Sequence, residues 1–165
     1  MTPLLLALLL CQSPKAAVID VSASDAVYED VSRGLAEQVA HALDGAGFDA
    51  VRVDENELPE SGCRAGPCLA KVAKDHHALV LVTLDATEVD KTHTQVALAA
   101  LLGLNGLPLA GARYVAKQGA KKLPKELVDF TQKVFAQAQK AQAEIDAWKA
   151  AHADAGARDA GAAPR

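Results

Sequence analysis

The chain has 165 residues, half of them hydrophobic, with 23% charged residues and a formal net charge of −4. That length suits one domain with accessory ends, while an aromatic content of 4% and a mildly acidic balance argue against a stacking surface for single-stranded nucleic acid. Eleven glycines and seven prolines are too few for a fibrous or disordered chain, and no apolar run approaches the ~18 residues that span a bilayer as a helix.

The first element is Leu4 to Leu10, an uninterrupted apolar run too short to cross a membrane but of the right length for the core of a secretory signal. Gln12-Ser13-Pro14-Lys15 separates it from the apolar segment that starts at Ala16, so residues 1–14 read as an export signal. Small residues at cleavage spacing come at Ala16 and Ala17. The segment Leu8-Leu9-Leu10-Cys11 resembles the lipobox of bacterial lipoproteins, in which Cys11 would be the lipidated residue. Leu10 departs from that pattern, which wants a small side chain there. If Cys11 carries lipid, membrane contact runs through that anchor, and Gln12 resembles the pattern sorted to the outer membrane. Otherwise Cys11 leaves with the signal.

Ala16 to Val21 is short and β-branched and reads as a first buried strand. Ser24 or Asp25 can cap a helix in which Val27, Val31, Leu35, Val39 and Leu43 form one apolar stripe, ended by Gly45 and Gly47. Phe48 to Val53 alternates as a second strand. A polar loop with Asp54, Glu55, Glu57 and Glu60 comes next, without the spacing of a calcium loop. Cys63 lies near its end and Cys68 just beyond it, an even pair in an exported chain, which favours a structural disulfide closing a tight turn. The C-x4-C spacing is not that of a redox motif, and two cysteines supply half a zinc shell.

Pro67 fits the first turn of a short helix over Cys68 to Asp75, with Leu69, Val72 and Ala73 inward. Ala78 to Leu84 is the strongest strand signal in the chain. Glu88 to Thr92 reads as a polar turn, Thr94 to Leu104 as the next strand with its even-numbered residues on one face, and Asn105-Gly106 as the positive-φ pair of a tight hairpin leading to Pro108–Ala116. From Pro124 a helix runs to about Ala150, and Leu127, Thr131, Val134, Ala138, Ala141, Ile145 and Trp148 share one seam. Such a helix outruns the domain, so its far end, residues 141–151, either projects and leaves Ile145 and Trp148 to meet a partner, or bends back, with Ala138 and Ala141 letting the helix pack closely on its own sheet. Residues 152–165, rich in Ala, Gly, Asp and Arg, read as a disordered tail.

The residues that would carry catalysis do not fall into a recognisable pattern. There is no G-x-S-x-G, and the span from Gly106 to Gly111 continues Ala112-Arg113 where a phosphate loop needs Lys and Ser or Thr. The sequence predicts a non-enzyme without catalytic residues, cofactor or metal. A different class of function, a periplasmic small-molecule or metal-binding protein, would use His76, His77 and the acidic loop, with His93 as a further ligand.

The order strand, helix, strand, short helix, three-stranded meander and C-terminal helix predicts an α/β (α+β) fold with a five-stranded mixed sheet. Together with Lys15 to Val21, Gly47-Phe48, Cys63 to Ala73 and Ala78 to Val82, it resembles the α/β domain at the N-terminus of the Tol-Pal translocation protein TolB. That domain recurs in the penicillin-binding-protein activator LpoB, the flagellar protein FlgO and the soluble part of the curli pore CsgG. The resemblance covers residues 15–140. It implies a non-catalytic domain that docks on other envelope proteins, in the periplasm or on the periplasmic face of the outer membrane, with room for a homo-oligomer. The pore-forming member inserts long amphipathic hairpins, and the loops here are too short to supply them.

Overall fold

A computed structural model describes residues 13–22, 29–58, 63–64, 66–120 and 122–159, the side chains of Glu55 and of residues 153–159 excepted. In chain order the elements are β1 (Lys15–Asp20), α1 (Glu29–Ala46), β2 (Asp49–Arg52), α2 (Gly66–Asp75), β3 (Val80–Asp90), β4 (His93–Leu102), β5 (Pro108–Lys117) and α3 (Lys125–Asp159), with one 3₁₀ turn at Glu55–Glu57. The expected α+β class and mixed five-stranded sheet are what the chain adopts. Leu4 to Leu10, Cys11, the cap at Ser24 or Asp25, Val27 and Glu60 lie outside the described residues.

The sheet runs β2-β1-β3-β4-β5. β1 is parallel to both its neighbours, and β3, β4 and β5 form an antiparallel meander. The chain first moves from β1 outward to β2 and then back across β1 to β3. Because parallel crossovers are right-handed, that reversal of direction sends α1 and α2 to opposite faces. α1 and α3 cover one face, where Val18, Leu35, Val39, Leu43, Val82, Leu84, Val96, Leu98, Leu127 and Val134 form one core. On the other face α2 and the cysteine loop pack Val53, Cys63, Val72 and Ala73 onto Ala17, Ile19 and Leu81.

Helix ends obey local chemistry. Gly47 adopts φ +113 after α1, with Phe48 N–H donating to the Leu43 carbonyl at 3.1 Å, a left-handed C-terminal cap. A Cβ at Gly47 would lie 2.9 Å from the Phe135 ring, so the position also needs glycine for close approach. α2 begins earlier than the sequence suggests, at Gly66, with Pro67 in its first turn as expected. Its cap is unexpected: His77 takes the left-handed conformation at φ 51, and Ala78 N–H reaches back to the Ala73 carbonyl at 2.8 Å.

The meander departs from the sequence reading in three places. β3 continues to Asp90, so Glu88 and Val89 are strand, because the polar positions Asp85 and Thr87 face solvent while Leu84 and Ala86 stay buried. The turn is Asp90–His93, where the Asp90 carboxylate accepts the N–H groups of Thr92 (2.7 Å) and His93 (2.9 Å). Those bonds, with the Thr92 hydroxyl and His93, hold the Asp90 carboxyl down at about 2. In the second turn only Gly106 has positive φ. The loop is wider than a two-residue hairpin, with Gly106 N–H bonded to the Leu102 carbonyl at 2.7 Å and Leu107 N–H to Asn105 Oδ1 at 3.1 Å. Leu104 is therefore turned out, 74% exposed, instead of continuing the inner face of β4.

Candidate functional site

α3 is helical for local reasons as well as packing ones. Pro124 precedes it, Glu126 lies in its first turn, Lys125 pairs with Asp129 one turn on, and alanine recurs to the end. Leu127, Phe130, Thr131, Val134 and Ala138 are buried. Phe135 meets Phe48 edge to face at 5.1 Å between ring centres, which fixes the helix across the corner between α1 and β2.

Among the described side chains, Ala138 is the last buried residue of the helix. Ala141 and Ile145 on the same seam are half-buried, and Trp148 is 63% exposed. At 1.5 Å per residue the helix continues ~30 Å beyond Ala138. The helical course extends through His152 to Asp159, where the sequence alone suggested a disordered tail; alanine-rich segments favour helix without needing an apolar stripe. Ala160 to Arg165 lie outside the described residues.

His152 was missed as a member of this surface. Its ring stacks on Trp148 with centres 4.4 Å apart and planes 23° apart, and its Nδ1 lies 2.8 Å from the Trp148 carbonyl oxygen. The i,i+4 spacing of the two rings was the available signal. Gln142 donates to Asp146 at 2.8 Å across the same turns. The result is a length of helix carrying an exposed, stacked Trp–His pair beyond the domain's own core.

The cysteine pair forms a bridge with Cα atoms 5.5 Å apart, and Cys63 is fully buried. Arg64 beside it donates to the Val21 carbonyl at 2.5 Å, drawing the loop over the end of β1. The bridge is thus structural, part of the second core.

The histidines do not converge. His76 Nε2 lies 3.2 Å from Glu57 Oε2, so the acidic loop does reach it. His77 is the cap of α2, and His93 belongs to the Asp90 turn. With Val80 opposite Leu102 and Asp90 opposite His93, His77 and His93 stand at opposite ends of the β3–β4 ladder, ~30 Å apart, so they cannot share a ligand. Among the described residues no three His, Cys, Asp or Glu side chains are placed to hold one metal ion. A cleft of about 240 Å³ lies between the start of α1 and the ends of β4 and β5, lined by Asp30, Gln38, Thr94, Lys117 and Gln118 among others.

These features define an α+β domain with a disulfide-tied loop and a long C-terminal helix that exposes Trp148 beyond the core. No family model matches the chain, and no curated protein sequence matches it. The chain is similar to several solved structures. The LpoB C-terminal domain from Salmonella enterica has a TM-score of 0.48 at 13% identity, over 70% of this chain and 94% of that one. A PelC dodecamer from Paraburkholderia phytofirmans gives 0.47 at 14%, over 78% and 88%. TolB from Acinetobacter baumannii gives 0.43 at 14%, over 79% of this chain and 29% of that one. The resemblance to the TolB and LpoB domains expected from the sequence is thus met by solved structures of both. These are likenesses of chain path and say nothing of what this chain binds.

Proposed function

We propose that this protein is a non-catalytic, exported adaptor that binds a protein component of a cell-envelope machine through its α/β domain and the far end of α3. The observation that carries the proposal is the apolar seam of α3, which continues past the last buried residue, Ala138, into half-buried Ile145 and exposed Trp148. A tryptophan on a protruding amphipathic helix is the kind of side chain that anchors a protein interface. The buried Cys63–Cys68 bridge supports an oxidising compartment, as does the Leu4–Leu10 run ahead of the domain.

Truncation after Lys140 tests the reading. Among the described side chains it removes no buried residue of the helix, so the melting temperature should stay within ~2 °C of the full chain, while capture of partners from native envelopes should be lost. A truncated chain that keeps both its stability and all its partners would move the binding surface to the sheet domain.

A second reading, a periplasmic small-molecule or metal-binding protein, draws on the Glu57–His76 contact at 3.2 Å. Elemental analysis of untagged protein separates the two: a stoichiometric metal supports the second.

A further inference from the structure

One face of the meander carries no covering helix, because α2 on that side packs on β1 and the start of β3. Charge is distributed unevenly across its three strands. β3 holds Asp85, Glu88 and Asp90 and no base, β4 holds no Asp, Glu, Lys or Arg, and β5 holds Arg113 and Lys117 and no acid. The contrast meets in one row of the open face, where Asp85 stands opposite Ala97 and Ala97 opposite Arg113. Asp85 and Arg113 are exposed. They lie two strands apart, ~10 Å, and neither forms an ion pair among the described residues.

The next row is Thr83, Ala99 and Gly111. A glycine inside a strand weakens it and often marks the close approach of another backbone. The chain's own fold does not demand Gly111: its φ is not positive, and a Cβ there would meet the Leu98 carbonyl oxygen at 3.5 Å, an ordinary contact. With Ala97 and Ala99 beside it, the centre of the face is low. Growth of the sheet at its β5 edge is a poorer route to association, since that strand starts at Pro108 and bears only positive charge.

We propose that the open face of the meander binds a second copy of the chain, as a two-fold dimer whose axis runs along β4. A half-turn about that axis exchanges β3 with β5. Asp85 of each copy then faces Arg113 of the other, level with Ala97, and Gly111 faces Thr83. Aligned sheets pack ~10 Å apart, a gap that the long Arg113 side chain and the Asp85 carboxylate span between them in a forked ion pair. A two-fold interface needs a surface complementary to itself, and acid, neutral and base on successive strands supply that. A partner of one charge sign would meet repulsion on one side. Three strands of about ten residues present about 450 Å² per copy, which belongs with the small, reversible interfaces.

This surface is separate from the far end of α3, and the dimer does not depend on the adaptor reading. Sedimentation velocity on the full-length chain from its native host, from ~1 µM to ~1 mM, tests it. The expected result is a reversible monomer–dimer equilibrium that weakens as salt is added. Asp85→Arg and Arg113→Asp should each weaken dimerisation at least ~10-fold, and the double exchange D85R/R113D should restore it. Gly111→Ile should abolish the dimer, with the melting temperature showing that each variant is folded. A chain monomeric throughout, a dimer indifferent to the single reversals, or a folded double exchange that stays monomeric would overturn the proposal. So would a monomeric chain that loses a different captured protein on Arg113→Asp, since the occupant is then another partner.

Discussion

On one face of the sheet, α1 and α3 bury a continuous apolar layer that runs from Val18 through Leu84 and Leu98 to Ala138; on the other, α2 covers only β1 and the start of β3, and the loop ahead of it is tied by a disulfide. Past the reach of α2, the second face carries Asp85, Thr87, Gln95 and Arg113, all exposed. The two faces thus use different means. Where two helices supply apolar volume, burial holds the fold. Where one ten-residue helix supplies little, a covalent closure limits the freedom of the unfolded loop.

The largest expected effect breaks the first face. Leu84 is fully buried between the helices and the sheet, and Leu84→Ala should cost about 3 kcal/mol from lost burial and the cavity left behind. A lower urea midpoint with an unchanged slope would show it. Replacing both Cys63 and Cys68 with alanine strikes the second face and should cost about 2 kcal/mol. Reductant should lower the midpoint of the native chain similarly and leave the double variant unaffected. Equal midpoints with and without reductant would mean that α2 and its apolar contacts hold this face unaided.

A smaller effect sharpens the account of the first face. Tyr114 is 6% exposed and its hydroxyl has no hydrogen-bond partner among the described residues. Burial pushes its phenol up to about 12, above the ordinary value near ~10. Between those values the folded chain keeps a proton that the unfolded chain has released, so this group's stability is full below pH ~10 and falls as pH rises to ~12, by about 2 kcal/mol. Tyr114→Phe should abolish that portion of the alkaline loss and change stability at pH 7 by no more than about 1 kcal/mol. Denaturant titrations at pH 7, 10 and 11.5 measure both.

The candidate site was legible only in part. Spacing on one seam singled out Ile145 and Trp148, because heptad-like recurrence is a local property of the sequence. Where the seam stops being buried was not legible. That point, Ala138, is set by the corner where Phe135 meets Gly47 and Phe48, residues nearly ninety positions apart in the chain. His152 was assigned to a tail since alanine-rich sequence has no apolar stripe, yet its ring completes the exposed pair with Trp148.

The order of the elements, the short loop closed by two cysteines and the left-handed Gly47 arise from the sequence itself, since strand alternation, helical periodicity and turn chemistry act over a few residues. Tertiary structure alone decided the rest. The reversal of strand order around β1 sent α1 and α2 to opposite faces, and that left one side of the meander open to solvent. With that side wet, the polar residues from Asp85 to Asp90 could continue as strand. The same topology enclosed Ala16 and Ala17 between two strands. Residues that look like a processing site in the linear chain thereby became the middle of a sheet, because burial depends on which strands and helices the rest of the chain brings alongside.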